Sequence, residues 1–193
     1  MLEPPTMSLF GVPIQERKDV AVVGIPFDST QSCFSGSKFA PKIIRLVSKT
    51  LDSYSFIQKK DVQTLSIADW GDVVVSFGDF KITEKRVFEA LNKINANKYL
   101  FLGGDHSITI ITVKFLKGKI RKYVHMDADA DLEDEYFGNK FSHDCTVRRV
   151  GEIIGFDKVI LVGYRSASPT ERKAIEEYGI EAYSISVSYT HLT

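Results

Sequence analysis

A buried strand that runs into three evenly spaced carboxylates is predicted for the stretch Lys122-Tyr-Val-His-Met-Asp127-Ala-Asp129-Ala-Asp131. An extended chain points residues two positions apart to the same side, so the three aspartates are expected to face one place. Two carboxylates roughly 5 Å apart repel by about 3 kcal/mol at an effective dielectric of about 20. A bound divalent cation would relieve this repulsion most strongly, and the alternative is a solvated acidic loop that caps the next helix.

The same stretch excludes one type of calcium site. An EF-hand loop also begins Asp-x-Asp-x-Asp, but it requires Gly at the sixth position and Glu at the twelfth. Leu132 and Gly138 occupy those positions here. The three aspartates therefore do not begin an EF-hand.

Length and composition predict one globular domain with a sizeable core. The chain has 193 residues, of which 44% are hydrophobic and 26% charged, as is ordinary for a soluble protein. Its 25 basic residues balance 25 acidic ones, which gives no reason to expect nucleic acid or an anionic membrane as a partner. We expect the domain to cover residues 1–186.

A reducing, cytoplasmic location is expected from cysteine usage. Cys33 and Cys145 are the only cysteines, and no Cys-x-x-Cys pair occurs. The N-terminal residues show no basic segment followed by an apolar run, so we expect no secretory signal. Apolar runs also fall well short of the roughly 20 residues that a membrane span requires.

Strands and helices alternate along the chain, which predicts an α/β fold with parallel pairing through right-handed crossovers. A first helix is predicted to begin near Pro41, where Ile43, Ile44 and Val47 form an apolar stripe. Thr83 is predicted to cap the next helix. The predicted strands include Val20–Ile25, Leu65–Ala68, Tyr99–Leu102, Lys158–Gly163 and Glu181–Ser184.

Two histidines are candidates for the same site as the aspartates. His106 follows a strand in Gly103-Gly-Asp-His-Ser107, where two glycines allow a tight turn at the carboxyl end of the sheet. A histidine and a carboxylate cluster at the ends of consecutive strands can bind one divalent ion, although a histidine satisfied by a cap or by the core is the alternative. His143 also lies near the sheet edge by sequence, and it could simply be a helix-entry residue.

Together these motifs resemble those of the arginase/agmatinase (ureohydrolase) family. The resemblance covers about Val20 to Ser184 and implies a three-layer αβα fold with a mainly parallel sheet. It extends to flanking stretches on both sides of the central motifs. The matching stretches are Gly24–Asp28, Pro41–Arg45, Gly71-Asp72, Gly103–Ser107, Asp127–Asp131, Asp134–Tyr136, Ser142-His143 and Arg148-Arg149.

The resemblance implies hydrolysis of a guanidinium group, with two manganese ions bound at the carboxyl edge of the sheet. His106 and Asp131 are expected to bind one ion, and Asp127 is expected to bridge to the second. A water activated by the two ions would attack the guanidinium carbon and release urea and an amine. His143 is the expected catalytic residue, as a proton carrier or substrate contact. Relatives are usually trimers or hexamers, so a homo-oligomer is expected.

Agmatine, which would yield putrescine and urea, is the favoured small cationic substrate. The loop Leu132–Tyr136 resembles that of agmatinases, and Glu133 and Asp134 would repel an α-carboxylate if they line the entrance. Other members of the family, such as arginase, guanidinobutyrase and formimidoylglutamase, act on other guanidino or formimino compounds, and these substrates stay open.

Two departures from the family pattern favour a non-catalytic, metal-binding relative as the alternative. Asp129 stands where the family has a histidine that binds the second metal, although aspartate is an acceptable manganese ligand. Further metal-binding aspartates of the family come from a later Asp-x-Asp strand, which this sequence does not reach. We therefore expect an incomplete fold that is inactive alone, with a non-native tail at residues 187–193.

Overall fold

A computed structural model of the chain describes residues 1–185, and the chain divides into two compact units, Met1–Asp105 and His106–Thr193. Each unit is described by itself. The prediction of one domain over residues 1–186 stays a prediction, and the proposed tail at 187–193 lies outside the described residues. None of the helices within residues 1–185 has the length and apolar character needed to cross a membrane.

The described residues form nine strands, five α-helices and six short 3-10 helices. The strands are β1 (Leu2–Glu3), β2 (Val20–Ile25), β3 (Tyr54–Ser55), β4 (Lys60–Asp61), β5 (Ile67–Val73), β6 (Lys98–Gly103), β7 (Tyr123–Met126), β8 (Val159–Tyr164) and β9 (Glu181–Ser184). The α-helices are α1 (Ala40–Ser48), α2 (Phe80–Leu91), α3 (Ile108–Leu116), α4 (Thr146–Ile154) and α5 (Pro169–Glu177). The 3-10 helices are Leu9–Gly11, Ser37–Phe39, Val62–Thr64, Lys117–Lys119, His143–Cys145 and Phe156–Lys158.

The first unit contains a four-stranded sheet in the order β1-β5-β2-β6. Strand β2 is parallel to both of its neighbours, and the short β1 lies antiparallel to β5 at the edge. Ala21, Val22 and Val23 of β2 are fully buried, as expected for a continuous apolar strand that is covered on both faces. A separate two-stranded hairpin pairs β3 with β4.

The apolar stripe predicted for α1 does not pack into the first unit. Ile43, Ile44 and Val47 are 41–49% exposed, whereas Arg45 is 2% exposed. The guanidinium of Arg45 donates hydrogen bonds to both carboxylate oxygens of Asp69, at 2.8 and 2.9 Å. The side of α1 that carries Arg45 therefore faces Asp69 of β5, and the apolar residues lie on the exposed side of the helix.

Helix α2 begins one turn earlier than predicted. The carboxylate of Asp79 accepts a hydrogen bond from the N–H of Ile82 at 2.8 Å and caps the helix, which begins at Phe80. Thr83 is buried inside the first turn, and its hydroxyl bonds to the backbone of Ser76. The prediction that Thr83 is the cap was therefore wrong, because an aspartate four residues earlier supplies a better acceptor.

The second unit contains a three-stranded parallel sheet in the order β7-β8-β9. Helices α3 and α4 pack together in this unit. Helix α5 begins with a capping box, in which Ser168 accepts from the N–H of Glu171 and the Glu171 side chain accepts from the N–H of Ser168. The core of the unit includes Val113, Ala130, Leu132, Val147, Val150, Ile154, Val159, Leu161 and Ile180.

Candidate metal centre

Three side chains of the second unit could hold a metal ion. His106, His125 and Asp131 offer ligand atoms that all lie within 4.8 Å of one another. Nδ1 of His106 lies 2.7 Å from Oδ2 of Asp131, and Nε2 of His125 lies 3.8 Å from the same oxygen. Asp127 lies at the margin of this group, with its Oδ2 4.0 Å from Nδ1 of His106. The group thus contains two of the four predicted ligands, His106 and Asp131, and a third, Asp127, lies at its margin.

Asp129, the fourth predicted ligand, is not in this group of three, and its residue is exposed. The expectation that the three aspartates face one place assumed a continuing strand, but β7 ends at Met126 and the chain bends at Asp127 and Ala128. Asp131 also has a φ of 50°, in the left-handed region that Asp tolerates better than most residues. The turn therefore brings Asp127 and Asp131 near His106 and leaves Asp129 exposed outside the group.

Backbone hydrogen bonds fix this turn, which we call the acidic turn (residues 127–132). The carbonyl of Ala128 accepts from the N–H groups of Arg165 and Ser166, at 2.8 and 3.0 Å. The N–H of Leu132 donates to the buried carboxylate of Glu171 at 2.8 Å. The carbonyl of Asp131 accepts from the N–H of Val147 at 2.9 Å. The backbone of the acidic turn is therefore bonded to the loop after β8 and to the first turns of α4 and α5.

One carboxylate oxygen of Asp127 is already used within the turn. Its Oδ1 accepts a hydrogen bond from the N–H of Ala128 at 2.6 Å, while Oδ2 is the oxygen that lies 4.0 Å from Nδ1 of His106. The side chain of Asp127 is 41% exposed, against 6% for that of Asp131. Asp131 is therefore the buried acid of the site, and Asp127 is the acid that faces solvent.

His125, which was not among the predicted ligands, is only 3% exposed. Its ring stacks on that of His106, with the centroids 5.2 Å apart and the planes 6° from parallel. Burial lowers the pKa of His125, and the neighbouring His106 lowers it further. One signal was available, because His125 precedes Asp127 by two residues and the strand period points both side chains to the same face.

His143, the predicted catalytic residue, is not among the three clustered side chains. It lies in the 3-10 turn that leads into α4, where its Nδ1 is 3.2 Å from the hydroxyl oxygen of Ser142. Its ring meets the ring of Tyr136 edge to face, with the centroids 5.5 Å apart. Next to it, burial and the charge of Asp131 raise the pKa of Asp144.

The acids of the loop after the turn have internal partners. Asp134 accepts a hydrogen bond from the guanidinium of Arg149 at 2.7 Å and also pairs with Lys140 at 3.4 Å. Glu133 accepts a hydrogen bond from the hydroxyl of Ser168 at 2.5 Å. The charge of Asp134 is thus balanced locally, which weakens the argument that it repels a substrate carboxylate.

The residues of the site fit a manganese ion. Imidazole nitrogen and carboxylate oxygen are both donors that this ion accepts. The buried carboxylate of Asp131 beside His106 is costly to leave uncompensated, and a cation or a shared proton is what would compensate it. His106, Asp131 and Asp127 provide one nitrogen and two carboxylates for a single ion.

Comparison with known proteins identifies a family for this chain. Residues 18–190 match the sequence model of the arginase family. The chain is 39% identical over 166 residues to an agmatinase of Pyrococcus horikoshii, covering 84% of this chain and 57% of that protein. It is 38% identical over 160 residues to an N(1)-aminopropylagmatine ureohydrolase of Thermococcus kodakarensis, covering 81% of this chain and 54% of that protein.

The fold is similar to that of a solved structure from the same family. The crystal structure of the agmatine ureohydrolase of Thermoplasma volcanium superposes with a TM-score of 0.79 at 32% identity, over 91% of this chain and 60% of that one. The predicted α/β, arginase-like fold class is confirmed by this likeness. The chain spans less than two thirds of the length of each of these three relatives. On the family match and the identities together, the chain belongs to the arginase family.

Proposed function

We propose that this protein takes part in the metal-dependent hydrolysis of a guanidino compound, and that agmatine is the substrate. The observation that carries the proposal is the meeting of His106 with Asp131 at 2.7 Å, with Asp127 beside them, in motifs that resemble those of the family. The names of the relatives from Pyrococcus, Thermococcus and Thermoplasma support a hydrolase of an agmatine-type guanidine.

His106, Asp127 and Asp131 are the residues that would hold manganese. The bound metal would supply Lewis-acid chemistry, namely a water that loses its proton near neutral pH. A second ion, as the family resemblance implies, would require Asp129 as one of its ligands. The acidic turn holds the carboxylates in place before any metal binds, because its backbone is already bonded to Arg165, Ser166 and Val147.

The proposed reaction adds water to the guanidinium carbon and breaks the bond from that carbon to the alkyl nitrogen. Urea leaves with the water oxygen, and the alkyl nitrogen takes up a proton and leaves as an amine. His143 is the proposed carrier of that proton, since imidazole gains and loses a proton near neutral pH. Its contact with the hydroxyl of Ser142 would orient the ring for this role.

Agmatine rather than arginine is proposed because of the names of the relatives. Repulsion of the arginine carboxylate by Asp134 is a weaker reason, since Asp134 forms an ion pair with Arg149. Hydrolysis of agmatine yields putrescine, so the proposed role lies in polyamine biosynthesis. Free thiols at Cys33 and Cys145 support a reducing, cytoplasmic location. A homo-oligomer, as the family resemblance implies, is proposed for the complete protein.

Urea release from agmatine by the complete gene product with added Mn²⁺ tests this proposal. A His106→Gln variant is the matched control, since it keeps the length of the side chain but removes the imidazole. We expect urea from the wild type and a large loss in the variant. If a folded wild type that binds Mn²⁺ released no urea from agmatine, arginine or guanidinobutyrate, and no formamide from formiminoglutamate, the hydrolase assignment would be refuted.

One observation favours a second candidate, a member of the family that binds metal without catalysis. Asp129 replaces the expected histidine, and this exposed residue is not one of the three clustered side chains. Such a protein would bind a single ion. Binding of one Mn²⁺ per complete chain, together with no turnover of any of the four substrates, would support this candidate.

A further inference from the structure

We propose that His125 is a positioning residue and not a metal ligand, with its Nε2–H holding the backbone carbonyl of Asp129. The inference deepens the proposed metal site and rests on it. The question arises because His125 clusters with His106 and Asp131, and its Nε2 lies 3.8 Å from Oδ2 of Asp131. Distance alone would make it a further ligand for the metal, whereas its hydrogen bonds indicate that it is not one.

The first hydrogen bond identifies the protonated nitrogen. Nε2 of His125 lies 3.1 Å from the carbonyl oxygen of Asp129. A carbonyl oxygen can only accept a hydrogen bond, so Nε2 must carry the hydrogen. A protonated ring nitrogen has no lone pair for a metal, and Nε2 is therefore unavailable as a ligand.

The second hydrogen bond occupies the other nitrogen. Nδ1 of His125 lies 3.2 Å from the hydroxyl oxygen of Tyr123. In the neutral ring with its hydrogen on Nε2, Nδ1 is an acceptor, and the tyrosine hydroxyl is the donor that satisfies it. Both nitrogens of His125 are thus engaged, by Tyr123 on one side and by Asp129 on the other.

This arrangement explains what His125 does for the metal ligands. Asp129 lies midway between Asp127 and Asp131, so a bond to its carbonyl fixes the middle of the acidic turn from the side of β7. The ring of His125 also stacks on that of His106 and limits its rotation. Outer partners of this kind orient metal ligands without touching the metal.

The tautomer of His125 can be measured directly. Long-range ¹H–¹⁵N correlation spectra of the metal-free, ¹⁵N-labelled protein distinguish a ring protonated at Nε2 from one protonated at Nδ1 or at both. We expect Nε2 alone to carry hydrogen. A Tyr123→Phe variant, which removes the donor to Nδ1, should weaken this preference. A ring protonated at Nδ1, or at both nitrogens, in the wild type would overturn the proposal.

Variants separate a positioning residue from a ligand. Glutamine can place an N–H donor near the position of Nε2, so His125→Gln should retain Mn²⁺ binding, whereas His125→Leu should weaken it by about tenfold or more. The nitrogen couplings in the pulsed EPR spectrum of bound Mn²⁺ should persist in His125→Gln and disappear in His106→Gln. Loss of these couplings in His125→Gln would show that His125 is a ligand.

The two proposals fail in different ways. If the wild-type protein binds Mn²⁺ but releases no urea, the proposed function fails while the role of His125 as a positioning residue stands. If His125→Leu binds Mn²⁺ as tightly as the wild type, the positioning role fails whatever the activity. Should His125→Leu not fold, the tautomer measured in the wild type still decides the question.

Discussion

Nδ1 of His106 lies 2.7 Å from Oδ2 of Asp131, although 25 residues separate the two in the sequence. The imidazole comes from the turn before α3, and the carboxylate comes from the turn after β7. Neither residue is held by its partner alone, because the carbonyl of His106 accepts from the N–H of Thr109 and the carbonyl of Asp131 accepts from the N–H of Val147. The pair is therefore a fixed feature of the second unit.

Replacing His106 should remove metal binding. We expect His106→Gln to weaken Mn²⁺ binding by more than the 10- to 100-fold that is typical for loss of an outer partner. His143→Gln is the matched control, because His143 is outside the clustered group and should leave affinity near that of the wild type. Equilibrium titration of Mn²⁺ followed by EPR measures both. Equal affinities in the two variants would contradict the proposed ligand set.

Restoring the family residue should strengthen a second metal site. Imidazole is neutral and reaches further than a carboxylate, so Asp129→His should reduce the repulsion in the acidic turn and add a nitrogen ligand. We expect the complete protein to bind Mn²⁺ at the second site more tightly in this variant, as measured by metal analysis after dialysis. Asp129→Asn, which removes the charge without adding imidazole, is the control. An unchanged metal content would show that Asp129 does not occupy the place of that histidine.

Gly104 should not tolerate a side chain. A Cβ atom at this position would lie 1.9 Å from the carbonyl oxygen of Phe27, and backbone atoms cannot move aside cheaply. We expect Gly104→Ala to lower the free energy of unfolding by about 1–3 kcal/mol or more. At Gly118 an added Cβ meets nothing within 4 Å, so Gly118→Ala should change stability by no more than about 0.5 kcal/mol. Urea denaturation compares the two, and similar losses would contradict the packing argument.

The buried ion pair of α1 should be costly to break. Arg45 and Asp69 have side chains that are 3% and 0% exposed, so removal of the guanidinium leaves a buried, unpaired carboxylate. Arg45→Met should therefore destabilise the protein by about 3–5 kcal/mol in urea denaturation. The second partner, Asp72, is 29% exposed, and Asp72→Asn should cost no more than about 1 kcal/mol. A larger loss in Asp72→Asn than in Arg45→Met would contradict this ranking.

Glu171 should make the stability of the protein fall as the pH rises. Burial raises the pKa of Glu171 above its ordinary 4.5, despite the N–H groups of Ser168 and Leu132 that lower it. Between 4.5 and this raised pKa, the folded chain holds a proton that the unfolded chain has released, so this contribution to stability is complete below 4.5 and is lost as pH rises through the folded pKa.

A Glu171→Gln variant tests that dependence. Its stability relative to the wild type should improve as the pH rises through this window, because glutamine does not ionise. Unfolding in urea at a series of pH values measures the difference. Glu176→Gln, on the exposed side of the same helix, controls for the general loss of a carboxylate. A relative stability of Glu171→Gln that stays constant or worsens with pH would contradict the predicted sign.

Much of the candidate site could be predicted from local pattern. The strand before the acidic turn, the helix near Pro41 and the strand Glu181–Ser184 follow from apolar runs and from proline chemistry, and the structure contains them. The proximity of His106 to Asp131 followed from the resemblance between motifs. These features depend on residues that are close together in the sequence or on motifs in a fixed order. Both can be recognised from the sequence without a structure.

Other features depended on partners far away in the sequence. The apolar residues of α1 face solvent because Arg45 pairs with Asp69, and neither partner alone predicts the pair. Asp129 is exposed because the strand ends at Met126 and the turn is held by residues near Arg165. The period of an extended strand could not reveal either point.

The amino-acid sequence by itself determined the alternation of strands and helices and the motifs by which the family resemblance was identified, since both are properties of local residue order. Only the tertiary structure decided which of those side chains meet. His125 shows the reason: its part in the site depends on which nitrogen carries hydrogen, and that depends on the positions of the Tyr123 hydroxyl and the Asp129 carbonyl in the folded chain.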